Sequence, residues 1–226
     1  MRVPQQIGSK GSLKWIQTLI NEKCDILNQD IGKYIKEGIA LIEWVSPKKE
    51  DDYAEYRDED FLKVLGIEKY KSQLQDFWPK AGPQWDALGK LKDKYYFVVE
   101  AKANIPEITS STQAKAEKSK IKIKNSLHIT KQFLGASSGQ NWETGFYQYA
   151  NRISHLYFLR ELCGLNAYLI FIYFCNDYTH IPTNIEQWQG SLELQKHLMC
   201  LNRHKYQSFV LDIFIDVNEI ENRTSG

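Results

Sequence analysis

Several signatures are missing from this chain of 226 residues, and each absence removes a class of explanation. The four cysteines, Cys24, Cys163, Cys175 and Cys200, are scattered, so neither a zinc-finger spacing nor a disulfide framework is written into the sequence. Reduced and mostly buried thiols are the expectation. No glycine-rich phosphate loop and no dinucleotide fingerprint occur, which argues against ATP-driven or redox chemistry. The longest apolar run, 167–175, is too short to cross a bilayer, and the first residues carry no apolar signal-peptide core. A soluble, cytoplasmic protein without a membrane partner is expected. The formal net charge is only +1, so no global positive field draws in nucleic acid. Any such surface must come from local clustering.

What is present is an ordinary globular composition, 42% hydrophobic and 25% charged, with no internal repeat and no low-complexity linker. Its length suits one well-cored domain over 1–226, with a core from about 12 to 217. Apolar spacing predicts an amphipathic helix over 12–27. A short apolar segment follows at 39–45, then a densely charged stretch, 48–60, expected to be a solvated loop or helix start, then an exposed helix over 61–77. Segments 83–91 and 95–102 read as a β-hairpin around Lys92-Asp93-Lys94. Lysine-rich helix is expected over 111–134, with Ser110, Ser111 or Thr112 as caps, a Gly/Ser break at 135–139, and a further helix over 144–163. The continuous apolar run 167–175 reads as a central strand covered on both faces, followed by a helix over 185–201 and a strand over 209–217. Helices and strands alternate from the middle onward. The fold class expected is α/β, layered, with helices on both faces of a mixed sheet.

The hairpin carries the chemistry. With the turn centred on Asp93, residues whose numbers sum to 186 face each other, so Asp86 stands opposite Glu100. Opposed residues of an antiparallel pair point to one side, with Cβ atoms about 4.5–5.5 Å apart. Period-two alternation puts Lys102 on the same face. Two carboxylates brought together in an apolar strand pair repel unless a cation lies between them. A hard divalent ion, magnesium or manganese, fits that demand, since it takes oxygen ligands and activates water and phosphate. Lys102 would then stabilise charge that grows on a phosphoryl group. A bare Glu-Ala-Lys tripeptide is usually a surface pair. Here it ends an apolar run and opposes an aspartate.

Asp86, a strand, and then Glu100-Ala101-Lys102 resemble the PD-(D/E)XK nuclease superfamily, with a leading helix, hairpin, long helix and buried strand in the family's order. The residue before Asp86 is Trp85 where the motif's name has proline, although Pro83 is near. The resemblance implies a restriction endonuclease-like three-layer α/β/α fold around a central mixed β-sheet. It implies a metal-dependent DNA endonuclease with catalytic Asp86, Glu100 and Lys102, and with Mg²⁺ (or Mn²⁺) on Asp86, Glu100 and the backbone carbonyl of Ala101. Gln148, on the following helix, joins the catalytic set by the same resemblance, and Glu22, on the leading helix, stands as an extra acidic residue. Arg152 and His155 share the helix face of Gln148.

Between 113 and 131 six lysines face one glutamate. Lys115, Lys118, Lys120, Lys122 and Lys124, with Arg152, are the expected nucleic-acid contacts, holding phosphates without reading sequence. DNA is therefore the expected partner, and a homodimer also, since cutting both strands calls for two active sites. The competing reading is a nuclease-fold module with weak or no catalysis that binds nucleic acid or a partner protein.

Overall fold

A computed structural model describes residues 1–35, 42–136 and 141–222. Two expected features fall partly outside those residues, the apolar segment 39–45 and the Gly/Ser break 135–139, as does the end of the 1–226 domain.

The centre is a five-stranded mixed sheet, in the order β2 (Glu43–Ser46), β4 (Ala87–Leu91), β5 (Tyr95–Lys102), β6 (Ala167–Cys175), β7 (Val210–Asp216). The first three strands are antiparallel neighbours, and β5, β6 and β7 run parallel. β6 lies between two parallel strands and is buried on both faces, which is why its sequence is apolar without alternation. A separate ribbon pairs β1 (Arg2–Val3) with β3 (Glu55–Tyr56).

Two apolar cores lie on opposite faces of the sheet. Phe97, Val99, Ile170 and Ile172 pack with Trp15, Leu19, Leu27 and Ile220, from helices α1 (Gly11–Glu22), α2 (Cys24–Gly32) and α8 (Val217–Asn222). Leu88, Val98, Leu169 and Phe171 pack on the other face. Their partners come from α3 (Glu59–Val64), α4 (Lys71–Phe77), α5 (Glu117–Leu134), α6 (Tyr147–Tyr157) and α7 (Ile185–Leu198). The chain is thus α/β, a five-stranded mixed sheet with helices on both faces. Among the described residues, no helix is long and apolar enough to cross a membrane.

The differences from the sequence reading have local causes. The leading helix is two helices, because Lys23 leaves helical geometry (φ −136°, ψ 28°) between them. Segment 61–77 breaks at Gly66, which adopts φ +75°, and it is packed rather than exposed, with Phe61, Leu62 and Phe77 in the core. The charged stretch 48–60 is not wholly solvated, since it contains β3. Helix α5 starts at Glu117 behind Ala116, with no side-chain cap. Ser110 caps another helix instead, its Oγ accepting the Gln148 N–H of α6 at 2.8 Å.

Candidate active site

The hairpin has the expected register. Ala87 lies opposite Val99 and Leu91 opposite Tyr95, around a turn in which Lys92 and Asp93 take left-handed φ values of 49° and 52°. Asp86 sits just beyond the end of β4. Its N–H donates to the Val99 carbonyl at 3.1 Å, and its Oδ2 accepts the Ala101 N–H at 2.7 Å. That second bond stitches the Asp86 carboxylate onto β5 beside Glu100. Residues two apart on a strand present their backbone to the same edge. The Ala101 carbonyl is therefore directed to the Asp86 side, as Val99 is.

Glu100 and Lys102 project from the same face of β5 and pair with each other, Lys102 Nζ to Glu100 Oε1. Glu100 is 1% exposed. Its other oxygen, Oε2, accepts Arg152 Nε at 2.6 Å. Arg152 comes from α6 and is itself buried. It donates further to the Gln84 carbonyl at 2.9 Å and to Asn151 Oδ1 at 2.7 Å, and it lies over the Trp85 ring at 5.1 Å. The Trp85 indole is thus a platform for the arginine that orients Glu100.

A third carboxylate joins this group. Glu55, on β3, is buried, and its Oε2 accepts the side-chain amides of Gln84 and of Gln5, the latter at 3.2 Å. Burial pushes the Glu55 carboxyl up from its ordinary value. The Gln84 hydrogen bond and Arg152 oppose the rise, and the charge of Glu100 adds to it. Asp86 is pushed well above the carboxylate range, first by burial and then by the charges of Glu100 and Glu55. Glu100 goes the other way. Burial alone would raise it, but Arg152 and Lys102 outweigh that cost and hold it below its usual value. Three carboxylates thus share an enclosed site with two cations, and both cations point at Glu100. The cluster is one positive charge short, and Asp86 and Glu55 carry the deficit.

That deficit is the test of fit for a metal. A divalent ion beside Asp86 and the Ala101 carbonyl would meet oxygen donors of the type magnesium and manganese select. Both Glu100 oxygens are engaged, yet a carboxylate offers about four lone-pair positions, so a further ligand bond is open to it. Among the described residues, no group of three or more His, Cys, Asp or Glu side chains converges closely enough to hold an ion on side chains alone. The fit rests on two carboxylates and a carbonyl.

Comparison of the chain with protein-family models, curated proteins and solved structures returned no match.

The remaining expected residues divide. Gln148 lines the same small cleft as Glu100 and Lys102, together with Ile108, Tyr149 and Gln195. Glu22 is exposed at the end of α1, whose apolar side packs on the opposite face of the sheet, so it is not brought to the site; Glu55 is the additional acid. Arg152 is not on a phosphate-facing surface, because it is 4% exposed and consumed by Glu100. His155 is buried among Phe61, Phe77, Trp78 and Trp85, away from the carboxylates. Burial pushes it down to about 3. The lysines do not form one stripe. Lys115 precedes α5. At 100° per residue, Lys118 and Lys122 flank the buried side on one edge, while Lys120 and Lys124 flank it on the other. Lys122 is also tied to the Gln75 carbonyl of α4 at 2.7 Å, whereas Lys115, Lys118, Lys120 and Lys124 are exposed.

Proposed function

We propose that this chain is a divalent-metal-dependent nuclease that hydrolyses phosphodiester bonds in DNA, in restriction, defence or repair. The restriction endonuclease-like version of the α/β/α architecture belongs to the same proposal. The observation that carries it is the meeting of Asp86 and Glu100 from the two arms of one hairpin, with Lys102 beside them and a charge deficit between them.

Magnesium or manganese held by Asp86, Glu100 and the Ala101 carbonyl would supply Lewis acidity toward the phosphoryl oxygen and a more acidic bound water. The chain's own groups do the rest. The Ala101 N–H fixes the Asp86 carboxylate, and Arg152, backed by Trp85, fixes Glu100. Lys102 brings an ammonium to the place where negative charge grows on the phosphoryl group, and its flexible stem lets it leave Glu100 for that charge. Gln148 offers an amide that orients water or phosphate at the mouth of the cleft. Lys115, Lys118, Lys120 and Lys124 supply phosphate contacts that position the duplex. Two copies of the chain would present one site to each strand.

The direct test is incubation of the purified protein with supercoiled, linear and single-stranded DNA in magnesium, manganese or chelator. Cleavage that needs the metal, and that falls about 10²–10³-fold in Lys102→Ala, is the expected result. No cleavage of any form with either metal overturns the proposal.

One observation favours the second reading, a nuclease-fold module that binds DNA or a protein without cutting. Both oxygens of Glu100 are already satisfied by Lys102 and Arg152. In that case DNA is retained with a strong salt dependence but not cut.

A further inference from the structure

Along α7 and its C-terminal end, Trp188, Leu192, Gln195 and Met199 recur at helical spacing and are all buried. Trp188, Leu192 and Met199 are core residues. Gln195 is the exception, a polar side chain only 2% exposed. A buried amide destabilises the fold unless both of its ends are bonded. Here Nε2 reaches only the Met199 thioether, a weak acceptor, at 4.0 Å. Among the described residues, Oε1 has no hydrogen-bond partner. This glutamine stands where a leucine would pack, and its own bonds do not account for it.

Gln195 lines the small cleft that holds Glu100 and Lys102. The free space there is about 10 Å³, room for a single water and too little for a phosphate or a base. Tyr149 and Phe171, stacked with ring centroids 4.6 Å apart, supply apolar lining. Lys102 is the complementary group. An ammonium carries three N–H donors, and Glu100 Oε1 takes one of them. Among the described residues, the others have no partner, although Lys102 is buried. Glu100 Oε2 cannot serve them, since it belongs to Arg152. Spare donors and a spare acceptor therefore border one water-sized space. A water that accepts from Lys102 and donates to Gln195 satisfies both.

We propose that Gln195 is a positioning residue for the cleavage reaction, holding the Lys102 ammonium through one water seated in this cleft. The inference rests on the nuclease reading. During cleavage Lys102 has to turn from Glu100 toward charge growing on the phosphoryl group, and an unanchored lysine stem would sample many directions. The water and Gln195 limit that swing. A neutral amide suits the task, because a carboxylate in its place would compete with the phosphoryl group for the ammonium.

Gln195→Met keeps the length and packing of the side chain and deletes the acceptor. Steady-state kinetics on the DNA form that the parent cleaves, with chemical denaturation of both proteins, tests the inference. In the variant kcat falls about tenfold, the worth of one hydrogen bond to a charged group, while KM is unchanged. The denaturation midpoint is unchanged or higher, because a poorly bonded polar group has left the core. On a Lys102→Ala background the same substitution has no further effect on kcat, since its influence passes through Lys102. A kcat equal to the parent's, or a tenfold loss that persists in full without Lys102, overturns the inference and leaves the nuclease reading standing. No cleavage by the parent overturns the nuclease reading, and this inference with it.

Discussion

The carboxylate of Asp86 is held by the backbone of Ala101, its Oδ2 accepting that residue's N–H at 2.7 Å. This one bond joins the loop before β4 to the strand that carries Glu100 and Lys102. It explains why two acidic groups that repel each other stay side by side: the geometry is fixed by the sheet, and the electrostatic cost falls on Asp86, whose proton is held more tightly. Glu100 escapes that cost through Arg152 and Lys102. The site is therefore asymmetric, one carboxylate neutralised by protein cations and the other left with the charge deficit.

Glu100→Ala should destabilise the protein by about 3–5 kcal/mol, because it leaves the buried Arg152 guanidinium without its carboxylate. Glu100→Gln, which still accepts a hydrogen bond from Arg152, should lose less. Chemical denaturation of the parent and both variants measures this. Equal midpoints for all three would show that the pair between Glu100 and Arg152 is not formed in solution.

Stability should fall in acid partly through His155. Its folded value of about 3 lies below the ordinary 6.5, so the folded state binds fewer protons in that window. The contribution is present in full above pH 6.5 and is lost as pH falls toward 3. The main cause is burial among aromatic rings, and Arg152 adds to it. His155→Phe should flatten the acid limb of a plot of urea midpoint against pH. An unchanged limb would assign the acid sensitivity elsewhere.

Replacing Lys118, Lys120 and Lys124 by glutamine should weaken DNA binding and lower the slope of log affinity against log salt by up to about 0.9 per lysine. Because these residues sit on two edges of α5, separate replacement of Lys118 and of Lys120 with Lys124 identifies the edge that faces phosphate. A slope unchanged in all variants removes α5 from the interface.

Much of this arrangement is legible in the sequence because it is local. The turn at Asp93 fixes the hairpin register, and period-two alternation then puts Asp86, Glu100 and Lys102 on one face. The apolar run of β6 announces a strand buried on both sides. What escapes is non-local. Glu55 sits in a densely charged stretch, and only its pairing with Val3, 52 residues earlier in the chain, turns its side chain inward. Arg152 looks like a surface cation on a polar helix face, but α6 is buried nearly all round, so its charge has to find Glu100. Glu22 lies on the leading helix, and only the tertiary fold shows that this helix packs on the opposite face of the sheet. The lysines of α5 look continuous in sequence and divide around the helix in space.

In the proposed function, Asp86 and Glu100 hold a divalent cation together. Crystals of the protein grown or soaked in manganese, measured for anomalous scattering, test it most directly. The expected result is a peak bonded to Asp86, Glu100 and the Ala101 carbonyl at about 2.0–2.3 Å, absent in Asp86→Asn. No peak between those oxygens at saturating manganese, with the Lys102–Glu100 and Arg152–Glu100 pairs intact, would contradict it.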